Sequence, residues 1–133
     1  MKKILCFLLI IPCVILSACT GNNTADKGAE NVYEMISGEE AKKIMDTKED
    51  CIILDVREKD EFNEGHIKGA ILIPHGEIGE KAEEMLPDKD ALILVYCRSG
   101  RRSKIASEQL CRLGYTNVKE FGGIIDWNYE VVK

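Results

Sequence analysis

A cysteine followed at once by a basic, glycine-containing turn is the feature of this chain best suited to chemistry. The segment Cys97-Arg98-Ser99-Gly100-Arg101-Arg102-Ser103 follows the apolar run Ala91 to Tyr96, and a helical pattern begins within it. A cysteine at the carboxyl end of a strand, just ahead of a helix, lies beside the free amides and partial positive charge of the helix's first turn. Both favour thiolate over thiol, as do the three guanidiniums nearby, and the thiolate is the nucleophilic form. Gly100 permits a tight turn in which successive N–H groups face one concavity, an anion-binding nest. The order of residues therefore supports a nucleophilic sulfur facing an anion; the alternative is a buried structural cysteine beside a solvated basic turn.

The elements that must position this loop follow from short apolar runs alternating with helical spacing. Val32–Ile36 reads as an edge strand. Ser37-Gly38-Glu39-Glu40 has capping-box spacing, and Ala41, Ile44 and Met45 continue a short helix that ends near Asp46. Cys51–Leu54 and Ile71–Ile73 are continuous apolar runs, as expected of buried strands, the second closed by Pro74. Glu77 to Leu86 is helical, Pro87–Asp90 a turn, and Ala91–Tyr96 the strongest strand and the expected sheet centre. After the loop, Ile105, Ala106, Leu110 and Leu113 share one helical face, with Gly114 as a C-terminal cap. Val118–Phe121 is a last short strand, broken by Gly122-Gly123. The alternation predicts an α/β fold around a parallel sheet, whose ligands bind beyond the carboxyl ends of the strands.

The sequence resembles the rhodanese-like domain, a sulfurtransferase family, over Ser37 to Trp127. The resemblance rests on Leu54-Asp55-Val56-Arg57-Glu58, Glu61-Phe62, Gly65-His66-Ile67-Lys68-Gly69-Ala70 and Ile73-Pro74. The loop Cys97–Arg102 and Gly122-Gly123…Trp127 complete it. It implies a single domain with a five-stranded parallel sheet flanked by helices. It also implies that Cys97 accepts a sulfane sulfur as a persulfide and passes it to a nucleophile. Related phosphatases and arsenate reductases use Cys-x5-Arg, a wider ring of amides for a tetrahedral oxyanion. Here the spacing is Cys-x4-Arg, with Ser103 where their arginine falls. The count favours sulfur transfer over the alternatives, a small oxyanion reductase or phosphatase and a non-catalytic binding module.

The expected reaction is covalent nucleophilic catalysis. Cys97 attacks thiosulfate or a persulfide donor, amides from Arg98 to Arg102 stabilise the persulfide, and cyanide, a small thiol or a protein thiol accepts the sulfur. Arg101 and Arg102 attract the donor's charge, with Arg102 facing the pocket by resemblance. Asp55 and Arg57 end a buried strand near the same rim, where they support the loop or pair with each other. His66 reads as a hydrogen-bonded turn histidine or a proton carrier, and His75 carries less information. Glu80, Glu83 and Glu84 form a solvated helix face, and Trp127 a packing anchor. With two histidines and no C-x2-C pair no metal site is expected, and the chemistry calls for no cofactor.

The N-terminal residues form a different object. Lys2 and Lys3, the apolar run Ile4–Leu16 interrupted by Pro12, and Ser17-Ala18 compose a secretory signal over residues 1–18. The run falls short of the about 20 apolar residues of a spanning helix. Leu16-Ser17-Ala18-Cys19 resembles the lipobox of bacterial lipoproteins, which implies lipid on Cys19 and attachment to the extracytoplasmic face of the cell membrane; an ordinary signal with an incidental cysteine is the alternative. Residues 19–31 are polar and read as a tether to a domain at 32–133. Beyond the signal, 16 basic residues face 23 acidic ones, a net charge of −7, so nucleic acid is not an expected partner. Cys51 and Cys111 are expected to be reduced and packed; a Cys51–Cys111 or Cys97–Cys111 bond is the alternative, the latter opposed by about fourteen residues of mostly helix between the two.

Overall fold

The computed structural model describes residues 32–133. The signal segment, Cys19 and the tether lie outside the described residues. Five parallel strands form the main sheet in the order β1-β6-β5-β2-β4: β1 is Glu34–Met35, β2 Ile52–Asp55, β4 Ile71–Leu72, β5 Ile93–Cys97 and β6 Val118–Gly123. A small antiparallel pair joins β3, His66–Ile67, to β7, Val131–Val132. The helices are α1, Gly38–Thr47; α2, Lys59–Glu64; α3, Ile78–Met85; and α4, Arg101–Arg112.

The alternation of side chains along β5, the central strand, divides the core. Ile93, Val95 and Cys97 face α3 and α4, where they join Leu54, Ile78, Ala82, Ala106 and Leu110. Leu94 and Tyr96 face the opposite side, with Ala41 of α1, Ile67 and Phe121. All five residues of β5 are buried, as a strand covered on both faces requires. The last residue of that strand is Cys97, so the fold delivers the cysteine to the carboxyl edge on the α4 side.

The local signals act as their chemistry dictates. Ser37 caps α1: its hydroxyl accepts the Glu40 amide at 3.1 Å, and the Glu40 carboxylate accepts the Ser37 amide at 2.8 Å. Gly114, at φ 95°, ends α4, and the next residue's amide reaches back to the Leu110 carbonyl.

Three sequence readings need correction. Ile105 is 44% exposed; α4 instead buries Ser103, Ala106, Ser107, Leu110 and Cys111. Ala106 and Leu110 lie on the buried face as the spacing predicts and Leu113 packs against the core, but two further buried positions are serines and one is a cysteine, which apolar spacing does not register. Gly122 and Gly123 do not break the last strand but lie within β6. Helix α2 and the β3–β7 pair were not anticipated: both are short, and α2 buries no side chain that would impose a periodic pattern.

Candidate active site

The turn from β5 into α4 brings Cys97 and its loop together. Gly100 takes φ 104°, a left-handed conformation that glycine alone adopts freely, and it stands at the N-terminus of α4. The chain thereby folds back, and the Gly100 amide donates to the Cys97 sulfur at 3.0 Å. From the helix's first turn the buried Ser103 hydroxyl lies 3.4 Å from that sulfur.

Cys97 is 1% exposed. Burial pushes its thiol up, but hydrogen bonding with the Ser103 hydroxyl and from the amides of Ser103, Gly100 and Ser99 outweighs it. The net effect holds the thiol below its ordinary value. Cys51 and Cys111, which lack such donors in number, are pushed up by burial. All three are free thiols. Of the loop, then, Ser99 and Gly100 supply amides, and Ser103, just past it, supplies an amide and a hydroxyl.

The three arginines take different roles. Arg98 and Arg101 are exposed. Arg102 donates two hydrogen bonds to the Glu61 carboxylate, at 2.7 and 2.8 Å, and pins the start of α4 to α2. Its charge is already paired, and the guanidinium holds the Glu61 carboxyl at about 2. Sequence reasoning passed over Glu61 as a partner, although the pair Glu61-Phe62 stood among the recognised motifs.

Asp55 and Arg57 pair with each other. The Arg57 guanidinium donates to both Asp55 oxygens, the shortest contact being 2.6 Å, and to the Gly65 carbonyl at 2.7 Å. The Tyr96 hydroxyl donates to Asp55 at 2.7 Å and accepts the Ile67 amide at 3.1 Å. This buried network ties the ends of β2 and β5 to the β3 turn. Its outer end reaches a cleft of about 360 Å³ lined by Arg57, Glu61, Glu64, Arg98, Ile124 and Ile125. His66 does not line that cleft: its ring stacks on Phe62 at 3.7 Å, and its Nδ1 bonds the Phe62 carbonyl at 2.9 Å.

Two further residues shape the loop from β6. Gly123 lies against the backbone of Arg98 and Ser99 so closely that a Cβ there would overlap the Arg98 carbonyl and stand 2.6 Å from the Ser99 Cα. Glu120, 2% exposed, accepts the Ser103 hydroxyl at 2.6 Å and the Gly122 amide at 2.9 Å. A glutamate between apolar strand positions, Val118 and Phe121, was the available signal for Glu120.

A parallel five-stranded sheet with a cysteine loop at its carboxyl edge is the architecture of the family the sequence suggested. The chain belongs to that family: the model for the rhodanese-like domain matches residues 37–130. It is similar to the thiosulfate sulfurtransferase PspE of Escherichia coli, 41% identical over 73 residues, which are 55% of this chain and 70% of that protein. It is also similar to the thiosulfate sulfurtransferase GlpE of Coxiella burnetii, 33% identical over 97 residues, which are 72% of this chain and 88% of that protein. Against a further curated relative, from Bacillus subtilis, the match spans 57% of that protein's length. Among solved structures, a rhodanese-related protein from Thermoplasma volcanium superposes with a TM-score of 0.66 at 35% identity, over 75% of this chain and 98% of that one.

Proposed function

We propose that this domain is a sulfurtransferase that carries a sulfane sulfur on Cys97. The observation that supports it best is the Cys97 sulfur, whose thiolate form is favoured by the Ser103 hydroxyl and by the loop amides, the Gly100 amide at 3.0 Å among them, in a loop with Cys-x4-Arg spacing. In the first half-reaction the Cys97 thiolate attacks the outer sulfur of thiosulfate or of a persulfide donor. The donor's S–S bond breaks, and sulfite or a thiolate leaves with the electron pair. The amides of Ser99 and Gly100 then face the anionic persulfide as oxyanion-hole donors face an oxygen. In the second half-reaction a thiolate or cyanide attacks the outer sulfur, and Cys97 leaves as thiolate, ready for another turn.

The wider ring that an oxyanion reductase or phosphatase needs finds no support here. Ser103, at the position of their arginine, turns inward to Glu120. Thiosulfate:cyanide transfer assayed beside phosphate-ester hydrolysis tests the choice. Transfer that is lost in Cys97→Ser supports the proposal, and hydrolysis without transfer contradicts it.

The proposal extends to location. Leu16-Ser17-Ala18-Cys19 behind an apolar run supports a protein exported and lipid-anchored through Cys19 to the outer face of the cell membrane. Metabolic labelling with a fatty-acid analogue checks it: label in the membrane fraction, lost in Cys19→Ala, is expected, and unlabelled soluble protein contradicts it.

A further inference from the structure

The charged side chains Arg57, Glu61, Glu64 and Arg98 line the cleft beside the cysteine loop, with Ile124 and Ile125 as its apolar wall. Arg57 and Arg98 each lie two residues beyond the Asp55–Tyr96 register pair of β2 and β5, so both emerge at the carboxyl edge where Cys97 ends its strand. The Ile125 amide donates to the Arg98 carbonyl at 3.2 Å, which holds the apolar wall against the residue that follows Cys97. Ile125 is 62% exposed, a large apolar side chain open to whatever enters.

Two of the cleft's charges are neutralised in place: Arg57 by Asp55, and Glu61 by Arg102. Among the described residues Arg98 and Glu64 form no ion pair. The cleft therefore offers one cation and one anion over an apolar wall, a net charge of zero. That balance suits a zwitterion better than a dianion such as thiosulfate. The volume of about 360 Å³ fits an organic ligand, and the isoleucines give an inorganic ion nothing to bind.

Arg57 is more than a wall. It is 5% exposed, and its Nε and Nη2 donate to Asp55 and to the Gly65 carbonyl. Among the described residues no hydrogen bond uses Nη1, and that nitrogen is not sealed off as a buried orphan. Its N–H groups therefore open on the cleft that Arg57 lines, on a guanidinium that Asp55 keeps in place. A fixed guanidinium edge with unused donors is a seat for a carboxylate.

We infer that the sulfur acceptor of this site is a zwitterionic organic thiol of the amino-acid class. Its carboxylate lies on Arg57 Nη1 and Arg98, its ammonium toward Glu64 and its carbon chain on Ile124 and Ile125. The inference rests on the sulfurtransferase reading of Cys97 and names the acceptor for the second half-reaction. The acceptor enters as a thiolate, its proton having gone to solvent, and attacks the outer sulfur of the Cys97 persulfide. A new S–S bond forms on the acceptor, the bond to Cys97 breaks, and Cys97 leaves as thiolate with the electron pair. The acceptor departs as its own persulfide.

S-methylcysteine keeps both charges and the carbon chain but has no thiol, so its binding to the full chain is read apart from transfer. Saturable shifts of the Ile124 and Ile125 methyl signals are expected by NMR. Affinity should be about tenfold lower for 2-(methylthio)ethylamine, which lacks the carboxylate. No saturable shift, equal affinity without the carboxylate, or equal displacement by inorganic sulfate overturns the inference. In thiosulfate-dependent transfer, Arg57→Lys should raise KM for cysteine about tenfold relative to that for cysteamine. The exposed Glu64→Gln, which decides the matter if Arg57→Lys does not fold, should raise it about fivefold relative to that for 3-mercaptopropionate. A rise shared by all acceptors marks a merely structural effect and overturns the inference. Transfer to cyanide without S-methylcysteine binding overturns this inference alone. Binding with no transfer to any acceptor overturns the sulfurtransferase reading, and the acceptor role with it.

Discussion

The Ser103 hydroxyl oxygen stands 3.4 Å from the Cys97 sulfur, across a loop that returns on itself within six residues. Ser103 is thus a part of the sulfur's environment that no substrate-facing position would reveal. Ser103→Ala removes a hydroxyl partner that favours the Cys97 thiolate. The Cys97 alkylation profile should move to higher pH, with a loss of about tenfold at neutral pH. Because the change also leaves a buried carboxylate without its partner, urea denaturation should show about 1–3 kcal/mol of destabilisation. An unmoved profile would mean that the amides alone hold the thiolate.

Gly123 should tolerate no side chain. Its Cβ would meet backbone, the Arg98 carbonyl and the Ser99 Cα, which cannot rotate away. Gly123→Ala should cost about 3 kcal/mol or displace the loop with loss of transfer. Gly76→Ala is the control: nothing lies within 4 Å of the new Cβ and its φ is not in the left-handed region. Denaturation midpoints of the two variants should separate clearly.

The Arg102–Glu61 pair predicts an acid limb in the stability curve. The Glu61 carboxyl is held at about 2, chiefly by the Arg102 hydrogen bonds, against an ordinary value of 4.5. A depressed folded value means that the proton favours the unfolded chain. The contribution is complete above about pH 4.5 and fades as pH falls toward 2. Side chains 17% and 28% exposed are partly screened, so the pair is worth about 1 kcal/mol. Glu61→Gln should flatten stability between these pH values, as thermal melts in an acid series would record.

Tyr96→Phe removes a hydroxyl that donates to Asp55 and accepts the Ile67 amide, both buried. The variant should lose about 1–3 kcal/mol while Cys97 keeps its reactivity, because the network braces β3 and the cleft wall and makes no contact with the sulfur. Equal losses in stability and in alkylation rate would show that the network reaches the thiol.

The central strand, the loop and the capped first helix were legible in the sequence because each has a local cause. Five buried residues in β5 make an unbroken apolar run, Ser37 and Glu40 are three apart, and Gly100 stands where a left-handed turn is needed. The partners of the loop were not legible, because they come from elsewhere in the chain. Glu61 lies 41 residues before Arg102, and Glu120 lies 17 after Ser103. Their spacing records the fold, not a local pattern. Ile105 shows the complementary failure: α4 hides serines that are hydrogen-bonded or small, so its buried face is not its most apolar one.

Mass spectrometry of the full chain after incubation with thiosulfate tests the central claim most directly. The account predicts the mass of one sulfur atom added on the Cys97 peptide, removed by cyanide or a thiol and never formed in Cys97→Ser. A Cys97 that stays unmodified with thiosulfate and with persulfide donors alike, in folded protein, would contradict it.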